Sequence, residues 1–263
     1  MKFYAIPPNK HLDLMDNGDR YFGLAHHYVQ DENYKRTFLK IRNRSPKAFI
    51  TIDCSSAEHS LVTEEVLLKI VSELKPDEVI APDVLFDKEQ TLKNFSSFIG
   101  KMLEKGLMSH TSIFACPQGS TKEEWFECYK TMVMNPFVKC IGLSKIAVPK
   151  CWNNAEWDTQ IAVSRNQCVL ELMEKNLLLK PVHLLGMGEH DEFEFYLKNK
   201  VPNIRSSDSC YTILAAINGI DFEKGDTTRI PTTNAYFDQT LTPEQIELAT
   251  KNINYLKKTY KDV

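Results

Sequence analysis

From Ala48 onward the chain repeats one unit: a short apolar, β-rich run that stops at a small or acidic residue and is followed by a helical pattern. Phe49-Ile50-Thr51-Ile52 stops at Asp53, and Thr63–Lys75 then carries Val66, Ile70 and Leu74 at helical spacing, with Glu64 and Glu65 in the first turn. Glu78–Ala81 stops at Pro82-Asp83, before a helix with Leu92, Phe95, Ile99 and Met102 that Gly106 closes. Ser112–Cys116 stops at Pro117-Gln118-Gly119, and Ser120 with Glu123 predicts a capping box for a helix bearing Trp125, Tyr129 and Met132. Phe137–Leu143, with Gly142 inside it, is the next strand, and a long helix over Ile161–Leu178 follows. Val182–Leu185 stops at Gly186-Met187-Gly188; Asn203–Arg205 leads to Asp208, with a helix over Ser209–Asn218.

Strands alternating with helices at this spacing form a parallel sheet. The chain is therefore read as α/β, a (β/α)8 TIM-type barrel, imperfect at its N-terminus, where Lys2–Ile6 and Tyr21–Ala25 are both candidates for the strand that opens the sheet. An open doubly wound sheet is the alternative. It is disfavoured because no glycine fingerprint opens the first βα turn and Gly186-Met187-Gly188 lacks the third glycine. The 263 residues suit a single barrel domain, with an N-terminal segment (1–47), core units (48–218), then a polar loop and a C-terminal helix (219–263). Gly219–Gln239 has the length and polarity of a loop that covers a site. Thr242-Pro243-Glu244-Gln245 caps the final helix.

Composition narrows the function classes. No apolar run approaches the roughly 18 residues of a membrane span, and Met1–Pro8 turns polar too soon for a signal peptide. A cytoplasmic protein with no membrane partner is expected. The seven cysteines contain no CxxC and no zinc-ligand spacing, so no metal is expected. His26-His27, with no third ligand nearby, reads as a surface or loop pair. A net charge of −3 does not advertise nucleic acid, yet Lys35, Arg36, Lys40, Arg42, Arg44 and Lys47 lie in one stretch without an acid, interleaved with Tyr34 and Phe38. That stretch is either a solvated helix face or a phosphate-contacting patch.

Asp53, Asp83, Gln118, Gly142, Gly186 and Asp208 all fall at or just beyond the C-terminal ends of predicted strands. In a barrel those ends share one face, and that face carries the active site. Each has a structural alternative: the aspartates as helix caps, Gln118 as a turn residue, the glycines as turn formers. Three carboxylates without a histidine ligand pattern suit acid–base or nucleophilic work at carbon. One attacks an anomeric carbon, a second shuttles the proton, and a third accepts hydrogen bonds from the N–H and amino group of a guanine-like ring. A Gln and a backbone N–H read the ring's other edge.

On Ile52-Asp53-Cys54-Ser55, Pro82-Asp83, Cys116-Pro117-Gln118-Gly119, Ile141-Gly142-Leu143, Leu184-Leu185-Gly186-Met187-Gly188 and Ser207-Asp208-Ser209-Cys210, the chain resembles the tRNA-guanine transglycosylases from about Phe49 to Ile217. These are (β/α)8 enzymes that exchange guanine in nucleic acid for a 7-deazaguanine. The resemblance implies Asp208 as nucleophile and Asp53 as general acid–base. It also implies Asp83, Gln118 and Gly142 as base-recognising residues, and Leu143, Leu185 and Gly186 as pocket walls. The family's cysteine-rich zinc motif is missing, since no cysteine follows Cys210. With its short length, this makes the chain similar to the compact bacteriophage and bacterial relatives that modify DNA. The partners implied are DNA in preference to tRNA, and a free 7-deazaguanine such as preQ0; no cofactor is implied, and a phage-encoded protein would act in the host cytoplasm. A non-catalytic nucleic-acid-binding subunit and an unrelated small-metabolite hydrolase or lyase are the other readings of the same residues.

Overall fold

The structure, a computed structural model, describes residues 1–56, 62–155, 159–225, 230 and 232–261. Eight strands form one parallel sheet: β1 (Lys2–Ala5), β2 (Tyr21–Leu24), β3 (Ile50–Asp53), β4 (Glu78–Ile80), β5 (Ser112–Ala115), β6 (Val138–Leu143), β7 (Val182–Leu184) and β8 (Ile204–Ser209). Their order is β1-β8-β7-β6-β5-β4-β3-β2, a nearly closed (β/α)8 barrel with a seam between β1 and β2. Both N-terminal candidates are therefore strands, one at each side of the seam. Asp19, just before β2, bonds to β1 in both directions: Phe3 N donates to its carboxylate at 2.9 Å and its own N donates to Phe3 O at 2.8 Å. Further up, the Tyr4 and Phe22 rings meet edge to face across the seam, 5.9 Å apart.

Helices cover the sheet: α1 (Ala25–Gln30), α2 (Glu32–Arg44), α3 (Glu64–Leu74), α4 (Lys88–Glu104), α5 (Lys122–Val133), α6 (Ala147–Asn153), α7 (Ile161–Glu174), α8 (His190–Lys198), α9 (Tyr211–Ile217) and α10 (Pro243–Thr259). Each long one turns an apolar stripe to the strands. On α5 the stripe is Trp125, Phe126, Tyr129 and Met132, all buried, and each fully buried large side chain contributes about 1.5–3 kcal/mol. The cap of α5 is Thr121, which accepts from Glu124 N, one residue later than the expected Ser120 and Glu123 pair. Ser120 instead donates to the Glu124 carboxylate. The final helix has the capping box expected at Thr242 and Gln245. His26-His27 correct another expectation: they begin α1, half-buried, with rings 4.1 Å apart and His27 against Phe237, because the chain turns straight from β2 into helix. No helix among the described residues is long and apolar enough to cross a membrane.

Register decides what faces the lumen. His183 of β7 packs among Tyr4, Phe22 and Phe114, with ring centroids 5.3, 5.6 and 5.4 Å away. His183 pairs with Ser206 and with Gly142, Tyr4 with Asp208, Phe22 with Thr51, and Leu24 with Asp53, so all of these share the inner face. One irregularity matters. Val182 pairs with Ile204 but His183 with Ser206, leaving Arg205 as an extra residue in β8. Arg205 forms a two-pronged ion pair with Glu78 of β4, at 2.6 and 2.8 Å, at the N-terminal end of the barrel.

Candidate active site

None of the three aspartates is a helix cap. Thr63, Asp87 and Cys210 are the residues at the N-termini of α3, α4 and α9. Asp53, Asp83 and Asp208 instead line one cavity of about 170 Å³, together with Gln118, Leu185 and Gly186. An apolar cavity of about 150 Å³ holds a benzene ring, so this space has room for one heterocycle.

Asp208 is held through one of its two carboxylate oxygens. It is the fifth residue of β8 and 5% exposed. Its Oδ1 accepts from His183 Nε2 at 2.9 Å and from Gly186 N at 3.0 Å, and its main-chain carbonyl accepts from Met187 N at 3.1 Å. No hydrogen bond to Oδ2 is present among the described residues. Two features favour glycine at position 186. Its φ is +63°, and a Cβ on it would lie 2.5 Å from Cδ of Lys145, whose stem crosses this turn.

Asp83 is surrounded by neutral donors. Ser56 Oγ at 2.6 Å and Cys54 Sγ at 3.1 Å donate to Oδ1, and the Gln118 amide donates to Oδ2. Burial pushes its pKa up, and the bonds from Ser56, Cys54 and Gln118 offset part of that rise. The Gln118 carbonyl accepts from Phe86 N at 3.3 Å, so the amide orientation is set at both ends. Asp53 accepts from Ser55 N at 3.1 Å, a turn at the end of β3 that holds the carboxylate on the cavity wall.

The structure thus brings together Asp53, Asp83, Gln118, Leu185, Gly186 and Asp208. It does not bring Gly142 and Leu143 to the cavity. Gly142 faces the lumen, but the space of its missing side chain is filled: a Cβ there would lie 2.6 Å from the Phe114 ring and 2.8 Å from Leu185. Leu143, the next residue, points outward by the two-residue period of the strand and is fully buried. Ser144, Lys145 and Ile146 take that part of the wall.

The basic stretch also lies elsewhere. It forms α2, which buries Tyr34, Phe38 and Ile41. Arg42 pairs with Asp77 at 2.6 Å and donates to the carbonyls of Pro46 and Ala48; Arg44 pairs with Asp16. Asp77 and Ala48 precede β4 and β3, so this is the N-terminal end of the barrel, opposite the cavity. Lys35 pairs with Glu73 of α3 at 2.8 Å, and Arg36 reaches Asn33 of its own helix. Lys40 and Lys47 belong to the same helix and the turn after it.

Sequence reasoning missed His183, Ser56 and Cys54. The signal for His183 was present: it stands two residues before Leu185 on a strand and hence on the same face. The chemistry available is that of three carboxylates around a space for one ring, with neutral donors on Asp208 and Asp83. Among the described residues no group of three or more His, Cys, Asp and Glu side chains could hold a metal ion, and the seven cysteines are free thiols. No protein-family model matches the chain, and no curated protein matches it.

Proposed function

We propose that this chain is a glycosyltransferase that exchanges guanine in nucleic acid, DNA in preference to tRNA, for a 7-deazaguanine such as preQ0. One observation carries the reading: Asp208, Asp53 and Asp83, the three carboxylates the family resemblance singles out, line a single cavity of the size of one base. The target nucleoside leaves its stack to enter. Asp208 Oδ2 attacks C1′ and the C1′–N9 bond breaks; Asp53, protonated, gives its proton to the departing guanine. The ribosyl or deoxyribosyl group is then an ester on Asp208. A 7-deazaguanine enters, Asp53 takes the proton from its ring nitrogen, and that nitrogen displaces Asp208. Two displacements retain the configuration at C1′. Asp83 and Gln118, bonded to each other in the free protein, exchange that bond for the donors and acceptors of the base.

A small-metabolite barrel hydrolase or lyase is the second reading, and one observation favours it. Lys88 and Lys122, at the starts of α4 and α5 on the cavity side, are already tied to Glu127 and Glu171 and offer phosphates little.

The test incubates the protein with guanine-containing DNA and, separately, with tRNA, each with an isotopically labelled 7-deazaguanine. Digested nucleosides are read by mass spectrometry, and a denaturing gel without added base reads the covalent adduct. Label in DNA with an adduct that Asp208→Asn removes supports the proposal. Label in tRNA alone moves the polymer; neither label nor adduct leaves the small-metabolite reading.

A further inference from the structure

One line of hydrogen bonds climbs the lumen from its N-terminal end to the cavity. Glu78 binds the two terminal nitrogens of Arg205. Arg205 Nε donates to Ser206 Oγ at 3.2 Å, Ser206 Oγ lies 2.8 Å from His183 Nδ1, and His183 Nε2 lies 2.9 Å from Asp208 Oδ1. Ser206 and His183 are fully buried. The extra residue in β8 makes this possible, since it lets Arg205 and Ser206, adjacent in sequence, both serve the lumen.

The proton inventory gives this line a direction. An arginine only donates, and an ionised carboxylate only accepts. Ser206 Oγ receives the Arg205 hydrogen and has one hydrogen of its own. With Asp208 accepting, His183 carries its hydrogen on Nε2, so Nδ1 is bare and takes the Ser206 hydrogen. An imidazolium would put a second hydrogen on Nδ1 and leave the buried Ser206 O–H without an acceptor, a costly state. The surroundings agree. β2 and β5 present Phe22 and Phe114 to the ring, and the titratable or charged groups that face it are Asp208 and Arg205 from β8, Tyr4 from β1 and Glu78 from β4. Burial lowers the His183 pKa, opposed by Asp208.

We propose that Ser206 locks His183 in the neutral Nε2–H tautomer, and that His183 is thereby a positioning residue. Its N–H, with that of Gly186, occupies Oδ1 of Asp208 and leaves Oδ2 to the cavity. The positioning role rests on the reading of Asp208 as nucleophile; the tautomer lock does not.

Nitrogen-15 NMR of the full chain with labelled histidine distinguishes a nitrogen that bears hydrogen from a bare one, and His183→Gln identifies the His183 signals by their loss. At neutral pH the expected wild-type pattern is a bare Nδ1 and a hydrogen-bearing Nε2. Ser206→Ala, which removes little bulk, should give a mixture of tautomers. It should lower kcat for base exchange by about tenfold, the scale of one net hydrogen bond between neutral groups, with KM for the incoming base unchanged. A hydrogen on Nδ1 in the wild type, as the other tautomer or as imidazolium, overturns the lock whatever the activity. A tautomer change in Ser206→Ala with kcat unchanged overturns the positioning role. The expected tautomer in a wild-type chain that exchanges no base on DNA or tRNA upholds the lock and overturns the transglycosylase reading alone.

Discussion

The carboxylates at the N-terminal end of the barrel and those that line the cavity are held in different ways. At the N-terminal end Glu78 meets Arg205, Asp77 meets Arg42 and Asp16 meets Arg44, each at 2.5–2.6 Å. At the C-terminal end Asp208 is held by a neutral imidazole and a backbone N–H, Asp83 by a hydroxyl, a thiol and an amide, and Asp53 by a backbone N–H. A guanidinium cancels a carboxylate's charge and uses up its lone pairs. Around Asp208 and Asp83 the donors are neutral; they orient the group and leave its charge available to a carbon centre that develops positive character or to a ring with several N–H groups. Residues of one type thus close the barrel at one end and equip it for chemistry at the other.

If this contrast is right, substitutions at the cavity end change activity far more than stability. Asp208→Asn should abolish exchange and adduct, because an amide is a poor nucleophile, while its carbonyl still accepts from His183 and the thermal midpoint stays close to wild type. Asp53→Asn should reduce the rate by about 10²–10⁴-fold, the usual share of general acid–base catalysis. An adduct that survives Asp208→Asn and is lost in Asp53→Asn would mean that the two roles are exchanged.

The reverse holds at the other end. Glu78→Ala leaves the Arg205 guanidinium, only 17% exposed, without its counter-ion. Removing one partner of a buried pair costs about 3–5 kcal/mol, and the partial exposure of Arg205 puts this case at the low end. Denaturant unfolding measures it. A destabilisation no larger than that from Asp208→Asn would remove the distinction between the ends.

A third effect is smaller and lies mainly at the cavity end. Burial pushes His26 and His190 down to about 4 and lowers His27 and His183 as well. These rings stay neutral in the folded chain while the unfolded chain protonates near 6.5. Their contribution is therefore full above about pH 6.5 and is lost as the pH falls towards 4. Asp83 works the other way: its pKa is raised from 3.8, so between that value and its folded one, stability rises as the pH falls. The histidines are more numerous, and the thermal midpoint should drop between pH 7 and pH 4.5. A flat midpoint would contradict the burial of these rings.

The barrel was legible because each unit repeats a period of two and then a period near four, and because strand ends carry residues that stop both. The positions of Asp53, Asp83, Gln118 and Asp208 followed from the same punctuation. What was not legible depends on phase or on partners distant in sequence. Leu143 and Gly142 are one residue apart, and only the register against His183 shows which of them faces the lumen. The extra residue at Arg205 shifts the alternation along β8, and nothing local in Ile204-Arg205-Ser206 announces it. Arg42 and Asp77 are 35 residues apart, so in a run that reads as free positive charge Lys35, Arg42 and Arg44 are paired with acids the run does not contain.

That run provides the smallest expected effect. Were Arg42 and Arg44 bound to phosphates, neutralising both would flatten the dependence of log K on log salt by roughly one unit for each phosphate no longer bound. The structure puts both at the end away from the cavity, on Asp77 and Asp16. Arg42→Gln with Arg44→Gln should therefore leave the salt slope and affinity for DNA unchanged. Some stability should still be lost, since Arg42 also holds the carbonyls of Pro46 and Ala48 in the turn before β3. The Arg44 pair is about half exposed, and such pairs contribute at most about 1 kcal/mol. Fluorescence anisotropy with a guanine-containing duplex over a range of salt concentrations measures the slope. A slope reduced by about two would mean that DNA displaces Asp77 and Asp16 from their arginines, and that the arginine-paired end of the barrel is a binding surface as well.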